Sequence, residues 1–183
     1  MGRVTSVQET PNPDARKFAV SSRLVGEGTY TYADLVSAGD SPLAQDLFDI
    51  DGVDNVMVAP DFVTVGKLPS APWGLLEPQI THKLSLFLKS YQMAVTAETS
   101  VHGVEPTTDV ERAIVQILDE DIRPAVASDG GEVTFMGFDD GIVKLKLSGA
   151  CGSCPSSVAT LKGGIERLLR EEVPEVREVE RVA

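Results

Sequence analysis

Cys151 and Cys154 are the only cysteines in the chain, and two residues separate them. A C-x-x-C pair can aim two sulfurs at one metal ion or cluster, or close on itself in thiol redox chemistry, but it cannot staple distant parts of a chain. By spacing alone the pair stays open between metal binding, dithiol exchange and a structural or incidental role. Gly149 and Ala150 are small, so a bulky inorganic group could approach the backbone, and Gly152 makes a reversal between the sulfurs cheap. Pro155 stands at an expected first helical position, ahead of Val158, Leu161, Ile165, Leu168 and Leu169 at helical spacing. The start of that helix would turn free amides and the positive end of its dipole towards the sulfurs. That favours the thiolate, the form that binds metal.

Zinc and the common iron-sulfur clusters take about four protein ligands, and one chain supplies two sulfurs. His82 and His102, the only histidines, lie well upstream of the pair, so a single-chain zinc site is poorly supported. Two copies related by a two-fold axis would supply four thiolates, and a homodimer is the commonest closed assembly. A cluster held that way is shared between subunits and easily released. A thioredoxin-like dithiol would sit inside a βαβ unit, whereas a hairpin precedes this pair and no aromatic residue adjoins it.

The elements that must position the pair can be read upstream of it. Thr108 and Glu111 have the spacing of a capping box, followed by Val110, Ile114, Ile117, Leu118 and Ile122 at helical intervals, and a helix is expected to end near Pro124. Asp129-Gly130-Gly131 reads as a turn rather than an anion cradle, and leads into a strand over Glu132 to Phe138. Asp139-Asp140-Gly141 turns the chain back into Ile142 to Leu147, where Val143, Leu145 and Leu147 alternate with Lys144 and Lys146. Gly163-Gly164 costs a helix about 1 kcal/mol per glycine against alanine, so close packing is expected there, against the hairpin or a second subunit. Pro174 should stop that helix, and Val176 to Val182 could add a last strand.

In the first half, Lys17 to Val20 is a strand candidate and Ser41-Pro42 a helix entry, with the helix running to about Phe48. Asn55 to Ala59 and Phe62 to Lys67 form a hairpin pattern about Pro60-Asp61. Ile80, Leu84, Phe87, Leu88 and Tyr91 share one helical face, and Trp73 ahead of them reads as packing or a cap rather than a ligand cleft. The expected fold class is α/β of the α+β kind: two small domains, each a mixed or antiparallel sheet packed with helices. They occupy 1–92 and 107–183, with a linker over 93–106, where the apolar period is lost.

Composition bounds the function. The chain has 183 residues, 42% hydrophobic and 24% charged, within the ordinary globular range. A net charge of −12 argues against sequence-independent phosphate binding, so no nucleic-acid partner is expected. A cut after Gln92 leaves 7 basic and 11 acidic residues before it, and 9 and 17 after it, so most of the acid is in the second half. The acidic segments around Glu120 and Glu171 read as solvated faces. No run approaches the roughly 18 apolar residues of a membrane span, and no basic region with an apolar core opens the chain. Met1-Gly2 with Ser6 fits the loose myristoylation pattern, but no basic cluster follows as a second anchor. No membrane partner is expected, and the expected location is the cytoplasm of a bacterium, or the mitochondrial matrix for a mature processed chain.

With these residues in view, the second half resembles the NifU-like C-terminal domain of Nfu-type iron-sulfur carriers. The resemblance runs through I-x-x-x-L-D-E-x-I-R-P-A-V-x-x-D-G-G to Gly131, G-I-V-K-L-K-L-S-G-A-C-G-S-C-P-S-S to Ser157, T-L-K-G-G-I-E from Thr160 and V-P-E-V from Val173. The first half resembles the Nfu N-terminal domain through T-P-N-P at Thr10 to Pro13, Lys17-Phe18, S-P-L-A at Ser41 to Ala44, Leu47-Phe48 with Ile50, D-F-V-T-V at Asp61 to Val65, and Trp73. That half has no cysteine, so its implied role is stabilising the protein or docking partners.

The resemblance implies a cluster, 4Fe-4S in most of the family with 2Fe-2S as the alternative, bridged between two subunits by Cys151 and Cys154. It implies a scaffold or carrier and not an enzyme: a homodimer when loaded, supplied by upstream cluster-assembly proteins and delivering to apo iron-sulfur proteins. Ser153 stands between the cysteines where glycine is expected of the family, and a serine still allows the turn. The readings left against it are a dithiol oxidoreductase and a zinc-bridged structural dimer using the same pair.

Overall fold

The structure, a computed structural model, describes residues 2–26, 28–90, 94–95, 103–153 and 155–182, without the side chains of 152–153 and 155–158. The chain divides into two compact units, Met1–Val101 and His102–Ala183. One sheet is antiparallel and the other mixed, each with helices, as the α+β class requires.

The first unit places strands β1 (Val4–Glu9), β2 (Ala15–Val20), β3 (Tyr30–Tyr32), β4 (Val53–Val58) and β5 (Phe62–Lys67) in one antiparallel sheet of order β1-β2-β5-β4-β3. All six residues of β5 are buried, as befits the central strand. Helices α1 (Pro42–Phe48) and α2 (Trp73–Phe87) supply Leu43, Leu47, Leu76, Ile80, Leu84 and Phe87 to a core with Phe18, Val56 and Val65 from the sheet. Burial of each large apolar side chain contributes about 1.5–3 kcal/mol. Leu88 packs against this core as its spacing predicts, and Tyr91 lies outside the described residues. Trp73 opens α2 rather than preceding it: its indole N–H donates to the Pro13 carbonyl at 2.9 Å, and the Arg16 guanidinium lies 5.0 Å from the ring centre. Those contacts, with the ring half-buried against the core, bear out a packing role.

Ala94 and Val95, within the stretch read as a linker, are buried in the first unit's core, and the Ser41 hydroxyl donates to the Ala94 carbonyl at 2.6 Å. At the other end of that stretch the Val104 amide donates to the Phe135 carbonyl at 2.9 Å. The composition loses its apolar period there, yet single small residues still pack and backbone groups still pair.

The second unit begins with α3 (Asp109–Ile117), capped by Thr108 and Glu111 in the expected reciprocal box. The helical path does not end near Pro124. A π-type turn over Leu118–Ile122, in which the Arg123 amide donates to the Leu118 carbonyl, leads into α4 (Arg123–Ser128) with Pro124 in its first turn. In an unbroken α-helix the Pro124 ring would press on the Glu120 carbonyl; a wider turn just before it relieves that clash, so the chain carries on as a new helix. Strands β6 (Gly131–Asp139) and β7 (Ile142–Gly149) form the hairpin, with Asp140 at φ 44° and Gly141 at φ 82° in the tight turn. Val143, Leu145 and Leu147 are buried while Lys144 and Lys146 are half-buried, as the alternation predicts.

After β7 come a short helix α5 (Ala150–Ser153), the long helix α6 (Pro155–Glu172) and β8 (Glu178–Val182), which pairs parallel to β7. Ile165 and Leu169 of α6 bury their side chains against Ile114, Leu118, Val133, Phe135 and Leu145. Among the described residues the close packing expected at Gly163 and Gly164 is not found: both are exposed, and a Cβ on either would meet no atom within 4 Å outside its own helix backbone. The hairpin packs against Ile165 and Leu169 of the helix.

Candidate functional site

Cys151 sits one residue after the β7 to α5 junction. The chain turns there at Gly149, which has φ 66°, a conformation that costs other residues a Cβ clash. Gly149 faces Gly131 across the β6–β7 ladder, so the hairpin ends in two residues without side chains. The thiol of Cys151 fills the space this leaves. A Cβ on Gly131 would lie 2.5 Å from Cys151 Sγ and 2.8 Å from its Cβ. The Ala150 amide donates to the Gly130 carbonyl at 3.2 Å, which clasps the start of α5 to the turn before β6. Cys151 is a free thiol, 7% exposed, and belongs to the apolar core with Ile114, Val133 and Ile165.

This surrounding reverses the expected ionisation. Burial pushes the Cys151 thiol up to about 11, and the negative charge of Asp129 adds to the rise. The sulfur is seated in the apolar core, where loss of water raises the cost of charge. Cys151 is therefore a protonated, poorly nucleophilic thiol at neutral pH in this conformation.

Cys154 lies outside the described residues, as does His102, while His82 is exposed on α2 of the first unit. Among the described residues no group of three or more His, Cys, Asp and Glu side chains could hold a metal ion. Gly131 and Gly149 are the site residues that sequence reasoning missed in this role. Asp129-Gly130-Gly131 was legible as a turn, and Gly149 as a small neighbour, but the room they make is taken by the thiol itself.

Residues 4–91 match the family model described as "Scaffold protein Nfu/NifU N terminal", and residues 114–180, which include both cysteines, match the "NifU-like domain". The protein named "NFU1 iron-sulfur cluster scaffold homolog, mitochondrial" is 44% identical in Homo sapiens over 178 residues, covering 96% of this chain and 70% of that one. The chain belongs to the Nfu family. The protein of the same name in Drosophila willistoni is 39% identical over 191 residues, covering all of this chain and 65% of its own length. The chain thus spans a little under two thirds of the length of several relatives it matches. Among solved structures, the NifU-like protein from Saccharomyces cerevisiae is similar over 51% of this chain and 84% of its own, with 25% identity and a TM-score of 0.45.

Proposed function

We propose that this chain is an iron-sulfur cluster scaffold and carrier that binds a cluster between two copies of itself through Cys151 and Cys154 and delivers it to apo iron-sulfur proteins. The observation that carries the reading is the position of the pair. It lies inside the segment matching the NifU-like domain, in a chain whose relatives are named iron-sulfur cluster scaffolds over 96–100% of its length. Ligand counting supports the second copy, since two sulfurs from one chain leave about half of a four-thiolate shell to be filled. Exposed Gly163 and Gly164 on α6 leave a bare strip of helix that a second subunit could approach closely.

The cargo on this reading is a 4Fe-4S cluster, the supplier an upstream cluster-assembly protein, and no substrate is turned over. No described helix is long and apolar enough to cross a membrane. The compartment is read as one that keeps thiols reduced, the bacterial cytoplasm or the mitochondrial matrix that the relatives' names suggest.

Anaerobic reconstitution of the reduced protein with iron and sulfide tests this directly. Roughly four irons and four sulfides per two chains, lost in both Cys151→Ser and Cys154→Ser, is the expected result. Transfer is then read as activation of an apo-enzyme that needs a four-iron cluster. A monomer that takes no iron but reduces a test disulfide would make it a dithiol oxidoreductase, and a dimer that keeps zinc and refuses iron would make it a structural zinc dimer.

A further inference from the structure

We infer that the turn over 33–37 in the first unit is a docking knob for another protein, one that offers an apolar recess rimmed by lysine or arginine. The knob lies on the unit without cysteines and does not depend on the cluster-carrying reading of the pair.

Leu35 and Val36 stand at the tip of this turn, just after β3, and are 53% and 90% exposed. Val36 is the most exposed large apolar side chain among the described residues, and neither side chain belongs to the first unit's core. Asp34 and Ser37 close the turn on itself. The Ser37 amide donates to the Asp34 carboxylate at 2.7 Å and the Ser37 hydroxyl donates to the Asp34 carbonyl at 2.8 Å. The same hydroxyl accepts from the amides of Ala33 and Asp34 at 3.1 Å each. The apolar pair is thus presented by backbone that is already ordered, and a partner that grips it pays little further entropy.

The charge about the tip selects the partner. Residues 24–66 include eight acidic side chains and no lysine, arginine or histidine. The fold gathers part of this acid around the turn. Tyr32 pairs with Val56 on the last rung of the β3–β4 ladder, so the chain leaves the sheet towards Asn55 and Asp54. The Gln45 side chain donates to the carbonyls of Ala38 at 2.9 Å and Gly39 at 3.1 Å, which holds α1, with its exposed Asp46 and Asp49, against the end of the same turn. Of Asp34, Asp46, Asp49 and Asp54, only Asp49 meets a cation among the described residues, Lys83 at 3.3 Å. An apolar centre with an acidic rim is the complement of an apolar recess with a basic rim, and it turns away acidic proteins. The same charge repels nucleic acid and anionic lipid.

The test uses the iron-free, reduced full chain, isotope-labelled, and follows its amide resonances as an amphipathic helical peptide built of leucine and lysine is added. Saturable shifts centred on 33–40 and 45–54 are expected, weakened by salt, with none from the same peptide carrying glutamate for lysine or serine for leucine. Leu35→Ser/Val36→Ser removes only exposed apolar groups, so the variant should fold as the parent does and bind the peptide at least ~10-fold more weakly. Shifts centred on the second unit, which holds more of the acid, would overturn the inference, because charge alone would then explain the binding. Undiminished affinity in the double variant, or the absence of any saturable shift, would overturn it as well. If the same amides shift when the chain alone is concentrated, the occupant is a second copy and the basic partner is overturned.

Discussion

The Ser41 hydroxyl donates a 2.6 Å hydrogen bond to the carbonyl of Ala94 while it accepts a 3.1 Å bond from the amide of Ala44. One side chain thus caps α1 and anchors a segment that follows α2. Ser41 is fully buried, so Ser41→Ala leaves both an uncapped amide and a buried carbonyl without this donor. The expected loss is about 2–3 kcal/mol of stability. Trp73, the only tryptophan, lies in the same unit, so its fluorescence in urea reports the change. A loss below about 0.5 kcal/mol would show that water replaces both bonds.

Glu111 anchors the start of α3. Its carboxylate accepts from the Thr107 hydroxyl at 2.8 Å and from the amides of Thr107 and Thr108 at 2.9 Å each. These donors hold the carboxyl down at about 2, led by the Thr107 hydroxyl and amide. Because the folded value is below the unfolded one, near 4.3, this stabilisation is complete above about pH 5 and fades as pH falls towards 2. Glu111→Gln should therefore lose less stability than the parent chain between pH 6 and pH 3, read by urea denaturation followed by circular dichroism. Equal acid losses in the two chains would refute the assignment.

Glu166 ties α6 to the last strand. Its carboxylate accepts from the Val179 amide at 3.1 Å and is steadied by Arg170 at 3.2 Å. Glu166→Ala should loosen β8 at a cost of about 1–2 kcal/mol, with faster amide exchange over 178–182 than over the β6–β7 hairpin. Uniform acceleration across the unit would mean that Glu166 supports the whole core rather than the edge.

Gly149 turns the chain into the cysteine segment at φ 66°. A Cβ there costs about 1–2 kcal/mol for most residues and less for asparagine, which tolerates the left-handed region. Iron-free Gly149→Ala should thus be about 1–2 kcal/mol less stable than the parent in urea, with Gly149→Asn between them. Alanine tolerated as well as asparagine would show that the turn relaxes to another conformation.

Much of the fold was legible because its signals are local. The Thr108/Glu111 box, the alternation of Val143, Leu145 and Leu147, and the hairpin about Pro60-Asp61 each depend on residues a few positions apart, and the structure keeps all of them. The helix end at Pro124 was misread for the opposite reason. Proline forbids a regular continuation, but a π-type turn can precede it when Leu118 and Val126, on either side of the break, both have a core to enter. The strands β1 and β3 escaped notice because they are edge strands with mostly half-exposed or exposed residues and little apolar pattern.

For the cysteine pair, residue type, number and spacing are covalent properties, so the sequence alone determined that one chain offers two sulfurs three positions apart. Whether Cys151 is ready to bind depends on what lies against it, and that residue, Gly131, is distant along the chain. Only the register that sets Gly131 opposite Gly149 brings a bare stretch of backbone over the sulfur. The tertiary structure therefore decided that Cys151 is a buried thiol rather than an exposed thiolate, because burial and the nearby charge of Asp129 both raise the cost of charge on sulfur.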